Sequence, residues 1–339
     1  MSNAVKEVLS LGFPWQTADP FLFCVHHNDA FPKGNAEMGP QASLAGRQIG
    51  QDFDWSQDWR MYHGDRIPGF PAHPHRGFET ITVVTKGMVD HADSLGAAGR
   101  YGGGDTQWMT AGNGVQHSEM FPLLSEAEEN PMELFQIWIN LPAKNKAVPP
   151  HFSMLWREET PVVTTEDAQG HRTSVTVVAG ELEGHKAPSP PPDSWASDPA
   201  NDVAVWIIDV DADAEWTLPA TRAGVNRTLY CFEGGAIQVD DTELSPKQGA
   251  RLVPEQSVTL RAGEQKVRLL LLQGKPINEP VVQYGPFVMN TEAEIRQTFA
   301  DFRKDEFGGW PWPRHDQVHD RARGRFARHA DGREEHKTG

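Results

Sequence analysis

Hydrophobic residues recur along this chain in short runs of about strand length, cut apart by glycine, proline and acidic residues. The runs read "FETITVVTKG", "ELFQIWINL", "TSVTVVAGEL", "DVAVWIIDVD", "RTLYCFEGGAIQVD", "QSVTLRAG" and "VRLLLLQG". β-Branched and aromatic residues dominate them, and turn residues bound each one. Many short strands at such spacing predict an all-β sandwich or barrel. Helical periodicity is scarce. It is clearest in "NTEAEIRQTFADFRKDEF", where Thr291 and Glu294 form a capping-box pattern and Ile295, Phe299 and Phe302 share a face. A short C-terminal helix over 291–304 is expected there.

The pattern also repeats. "TITVVTKGMVDH" (80–91) matches "TLYCFEGGAIQVDD" (228–241), and "GGGDTQWMT" (102–110) matches "KQGARLVP" (247–254). Two β-barrels in tandem explain this better than one large sheet. The expected division is an N-terminal domain over 1–150 and a C-terminal domain over 151–313, joined near "LPAKNKAVPPHF" (141–152). A Pro/Ser-rich loop (186–202) falls in the second half, and a charged, mobile tail is expected over 314–339.

At 339 residues the chain suits two domains, each large enough for its own core. The net charge of −16 argues against direct binding to nucleic acid. Cys24 and Cys231 lie in apolar strand-like runs and read as buried free thiols. The opening residues lack a basic start and a long apolar stretch, and no apolar run is long enough to span a bilayer, so a cytoplasmic protein with no membrane partner is expected.

Chemistry concentrates in two places. "PAHPHRGFET" supplies His73 and His75, and "TAGNGVQHSEMF" supplies His117 and Glu119. Each is an i, i+2 pair, and residues two apart on a strand share a face. Either pair alone reads as an ordinary polar loop or a satisfied structural pair. Together they offer three imidazoles and a carboxylate to one barrel interior. That donor set suits a divalent metal, iron(II) above all where coordination positions stay open, with zinc, nickel, manganese and copper allowed by residue type. Glu79 competes with Glu119, because strand parity counted from His75 also points it inward. His63 and His91 read as hydrogen-bonded structural or supporting histidines, and His26 and His27 as strand-end polar residues. The glycines of "GRYGGGDT" read as turns, since no phosphate-loop Gly-Lys-Ser/Thr follows. Phe78, Trp108, Met109, Met120 and Phe121 read as core, some of it lining whatever cavity the metal faces.

The segments "HPHRGFETITVV", "VDHADSLGAAGRYGGGDTQWMTAGNGVQHSEMF" and "EPVVQYGPFVMNTEAEI" resemble the pirin family of the cupin superfamily, from about Phe21 to Phe302. The resemblance implies a bicupin: two double-stranded β-helix (jelly-roll) barrels, with metal in the N-terminal one and none in the C-terminal one, where the repeat offers only "TRA" near 221–223. It implies His73, His75, His117 and Glu119 as ligands, with Glu79 outside the ligand set. For activity it implies a quercetin 2,3-dioxygenase-like oxidoreductase acting on a flavonol-type aromatic substrate and O2, with Glu119 as catalytic base. The alternative it implies is a non-catalytic, iron-dependent redox-sensing regulator that binds protein partners. The extra residues at 186–202 and in the tail are departures from the family pattern, expected to bear on access to the site.

Overall fold

The computed structural model describes residues 4–338, so the first three positions of the 1–150 stretch and the last of the tail lie outside it. The chain forms two compact units. Most of the expected runs are strands at the expected places, among them Phe78–Lys86, Asn130–Asn140, Arg172–Ala179, Ala204–Val210 and Val267–Gly274.

One unit comprises His26–Gln136, Leu141–Trp156 and Glu279–Gly339. It is built largely on two sheets. The five-stranded sheet runs in the order His151–Leu155, Thr106–Thr110, Phe78–Lys86, Asn130–Asn140, Phe21–Phe31. The six-stranded sheet runs Glu334–Lys337, Arg325–Arg328, Ala98–Gly102, Met88–Asp93, Val115–Met120, Gly69–His75. Val84, Val89, Tyr101, Phe121, Phe152 and Met154 form part of its core. The helix Glu292–Asp305 also belongs here. Its N-terminal cap is formed, with the reciprocal bond shifted by one residue: the Glu294 N–H donates to Thr291 Oγ1 at 3.2 Å, and Glu294 Oε2 accepts the Asn290 N–H at 3.1 Å. Ile295 is buried, and Phe299 and Phe302 pack on Phe287.

The other unit comprises Met1–Val25, Ile137–Asn140 and Arg157–Asn278. A seven-stranded and a four-stranded sheet carry an aliphatic interior that includes Val175, Ile208, Leu229, Cys231, Leu269 and Leu271. Cys24 and Cys231 are free and buried, and burial pushes both thiols up, Cys231 to about 11. The 186–202 segment is a loop with two short 3-10 turns, Trp195–Ser197 and Pro199–Asn201. It is pinned where the Trp195 indole donates to the Lys275 carbonyl.

The chain ends depart from the expected layout. Val5–Ser10 pairs with Gln248–Leu252, so the N-terminal strand serves the unit built mainly from the C-terminal half. Within 314–338 the expected mobile tail is instead built into a sheet. Arg325–Arg328 pairs with Ala98–Gly102, and Glu334–Lys337 pairs with Arg325–Arg328. Its charges hid this, because several of them are buried in pairs. Arg325 meets Asp105 at 2.7 Å with both side chains inaccessible, and Phe326 and Ala327 are fully buried beside them. Arg100, itself paired with Asp90, donates to the carbonyls of His319, Asp320 and Arg323. Among the described residues no helix is long and apolar enough to cross a membrane.

Candidate metal centre

His73 and His75 lie on the edge strand Gly69–His75, and His117 and Glu119 on its antiparallel neighbour Val115–Met120. The register sets His73 directly opposite His117. The i, i+2 spacing then brings all three rings to one place. Ring centroids lie 4.8 Å apart for His73–His75, 4.5 Å for His73–His117 and 4.9 Å for His75–His117. One nitrogen from each lies within 4.8 Å of the others.

The donors fit a divalent metal ion on three grounds. The His73 Nδ1–H donates to the Pro71 carbonyl at 2.9 Å, which fixes the tautomer and leaves Nε2 with a lone pair. His117 is wholly buried, yet among the described residues neither ring nitrogen has a hydrogen-bond partner. A buried polar atom left so is costly unless something else satisfies it. Burial also holds the imidazoles in their neutral, ligating form: His73 is lowered to about 4, and His75 and His117 fall well below the usual range, with the neighbouring imidazoles adding to the effect.

Glu119 sits beside this group without joining it. Its Oε2 is 3.8 Å from His117 Nε2. Both of its oxygens are engaged elsewhere: Thr82 Oγ1 donates to Oε1 at 2.7 Å, and Gln136 Nε2 donates to Oε2 at 2.7 Å. Thr82 Oγ1 also lies 2.9 Å from Gln136 Oε1. Burial pushes the Glu119 carboxyl up.

The parity argument for Glu79 fails. Arg76 and Gly77, with Gly77 at φ 86°, break the strand after His75, so counting does not carry across. Phe78 is the residue that faces the imidazoles, 5.1 Å from His75, and its neighbour Glu79 takes the opposite face of the strand. There Glu79 accepts the Thr110 hydroxyl at 2.6 Å. Arg76 anchors the turn itself, donating to the Asn113 carbonyl and to Asp301 of the helix.

The other histidines have local partners. His91 contacts Asp93 at 3.2 Å and lies 5.5 Å from His117, His63 meets the Gly50 carbonyl, His26 meets Glu133, and His27 meets the Tyr62 hydroxyl. Phe121 and Met109 are packed in core clusters, and so is Phe70, 6.4 Å from His73. Sequence reasoning missed Thr82 and Gln136. The available signal was a polar residue centred in an apolar strand, as in "TITVV" and "LFQIW".

Residues 10–139 match the pirin family model, and residues 205–308 match the pirin C-terminal cupin domain. The chain is 38% identical over 242 residues to a Pseudomonas aeruginosa protein named "Putative quercetin 2,3-dioxygenase", covering 70% of this chain and 80% of that one. This chain belongs to the pirin family. Human pirin is 34% identical over 252 residues, 73% of this chain and 80% of its own length. A crystal structure of quercetin 2,3-dioxygenase from Acinetobacter baumannii matches 90% of this chain and 98% of its own, at 28% identity and a TM-score of 0.69. The pirin fold of two cupin domains is thus shared along nearly the whole chain.

Proposed function

We propose that this pirin is a metal-dependent dioxygenase acting on a flavonol-type aromatic substrate, with iron(II) held by His73, His75, His117 and Glu119. The observation that carries the reading is the convergence of three neutral imidazoles, two of them buried and one of those, His117, with both nitrogens unpartnered among the described residues. The substrate class follows the names of the bacterial relative and of the Acinetobacter structure. Iron(II), when bound, supplies Lewis acidity toward the substrate's 3-hydroxyl oxygen and an electron route to O2. The rings of Phe78 and Phe70 give the imidazoles flat apolar neighbours.

Glu119 is the base for the 3-hydroxyl proton, and a count of hydrogens supports this role. Thr82, Gln136 and Glu119 make three mutual contacts. With the carboxylate ionised, only the Thr82 hydroxyl and the Gln136 amide supply hydrogens to them. A proton on Glu119 Oε1 gives the third: Glu119 then donates to Thr82, Thr82 to Gln136 Oε1, and Gln136 Nε2 to Glu119 Oε2. Taking up the proton therefore completes a hydrogen-bond ring, and burial favours the same state.

The test is aerobic turnover. Iron-loaded protein should bleach quercetin's visible absorption in air and not under argon, with carbon monoxide released, and should leave flavones without a 3-hydroxyl untouched. An iron-loaded protein that leaves quercetin intact in air removes the dioxygenase reading and leaves an iron-responsive regulator.

A further inference from the structure

We infer that Thr82 and Gln136 form a clasp that draws Glu119 back from the three imidazoles, so that the carboxylate is the exchangeable ligand of the site and these two are its positioning residues. The inference rests on the metal reading above and deepens it. The three histidines and Glu119 all project from the six-stranded sheet. Thr82 and Gln136 project from strands of the five-stranded sheet, Phe78–Lys86 and Asn130–Asn140. The two short hydrogen bonds therefore pull the carboxylate toward the sheet that carries no imidazole of the group. They occupy both of its oxygens. The imidazoles converge without Glu119, although its Oε2 is only 3.8 Å from His117 Nε2. A carboxylate tied this way binds the metal by loosening a clasp bond and returns to the clasp when another oxygen ligand takes its place. That gives the site three fixed ligands and one that comes and goes without a change in the backbone.

The experiment is a double-mutant cycle on metal affinity, which does not require turnover. Cobalt(II) is the probe, with affinity read by chelator competition and coordination read from its visible spectrum. Thr82→Val removes the hydroxyl and keeps the shape. It should bind cobalt(II) about tenfold tighter than the unmodified protein, the scale of one hydrogen bond to a charged group, and its spectrum should shift toward the higher-coordinate, weaker-absorbing form. In the Glu119→Gln background the same change should alter affinity by less than about twofold, the additivity expected when the coupled partner is gone. Thr82→Ser, which restores the hydroxyl, should restore the original affinity. Equal effects of Thr82→Val in both backgrounds would make Thr82 a packing residue and overturn the clasp. Weaker binding by Thr82→Val would overturn it too, since the hydroxyl would then be aiming the carboxylate at the metal. If the unmodified protein binds no cobalt(II), the metal reading fails and takes the clasp with it.

Discussion

The two barrels share a strand plan and differ in what they put inside it. Gly87 follows the strand Phe78–Lys86 and Gly234 ends the strand Asn226–Gly234, at φ 77° and 97°, where an added Cβ would strike a carbonyl oxygen. Counting back five positions from each, 87 to 82 and 234 to 229, sets Thr82 against Leu229. Leu229 lies in an aliphatic interior with Cys231 and Leu271, whereas Thr82 hydrogen-bonds Glu119. The repeat read from the sequence, 80–91 against 228–241, sets Thr82 against Tyr230 and is one position out. Because side chains alternate, that single step decides which residues face inward. The contrast teaches that a cupin barrel can close on apolar packing, as the Leu229 barrel does. Polar residues inside the other barrel carry a desolvation cost that the aliphatic one avoids.

The comparison can be tested from its largest consequence down. His117→Ala or His73→Ala should strip most bound metal while the folded circular dichroism spectrum persists, because the hydrophobic core does not include the ligands. Full metal content in both variants would end the assignment. Glu119→Gln should abolish turnover, and Glu79→Gln should keep its metal, since Glu79 faces Thr110.

Next in size is the last segment of the chain. Arg325→Met leaves Asp105 buried without its cation and should cost about 3–5 kcal/mol in urea unfolding. A change under about 1 kcal/mol would show that the segment is not integral to the barrel. Leu229→Thr copies the polar barrel into the aliphatic one and should cost about 2–4 kcal/mol, from lost methyl packing and a buried hydroxyl.

The metal-free protein should also weaken with acid in a defined window. Burial holds His73 near 4 and His27 near 3, against an ordinary 6.5. Their folded values lie below the unfolded one, so as pH falls the unfolded chain takes up protons first. Their contribution is full above about 6.5 and is lost progressively toward about 4. The urea midpoint should fall across that range, and a flat midpoint between pH 7 and 4.5 would contradict the lowered values of both rings.

The smallest effect concerns Gln107, which lies opposite Thr82 in register, fully buried, with neither amide atom partnered among the described residues. Gln107→Leu should stabilise the metal-free protein by about 1 kcal/mol, because an unsatisfied buried amide is removed. A lower melting temperature would mean that the amide is satisfied in the folded protein.

Much of this was legible in the sequence because it depends on spacing within a single strand. His73 with His75, and His117 with Glu119, each needed only a two-residue period. The 291–304 helix needed only its cap and one apolar face. Glu79 was misplaced because the Arg76–Gly77 turn resets the period, and nothing local in "HPHRGFE" states by how much. Thr82 and Gln136 act across the gap between two sheets, so no count along the chain connects them to Glu119. The final segment was misread because composition records charge and not its burial: Arg325 reads as solvated until Asp105, 220 residues away in the chain, is placed beside it.

That separation has a consequence for how the protein comes into being. The sheet carrying the three histidines gains two of its strands, Arg325–Arg328 and Glu334–Lys337, from a segment made after the last residue of the other unit. The strand Val5–Ser10 waits for Gln248–Leu252 before it has a partner. The unit that ends at Asn278 can close while residues 279–339 are still being made, whereas the unit carrying the histidines cannot. The sheet that carries the three histidines is thus completed after the other unit has all of its strands.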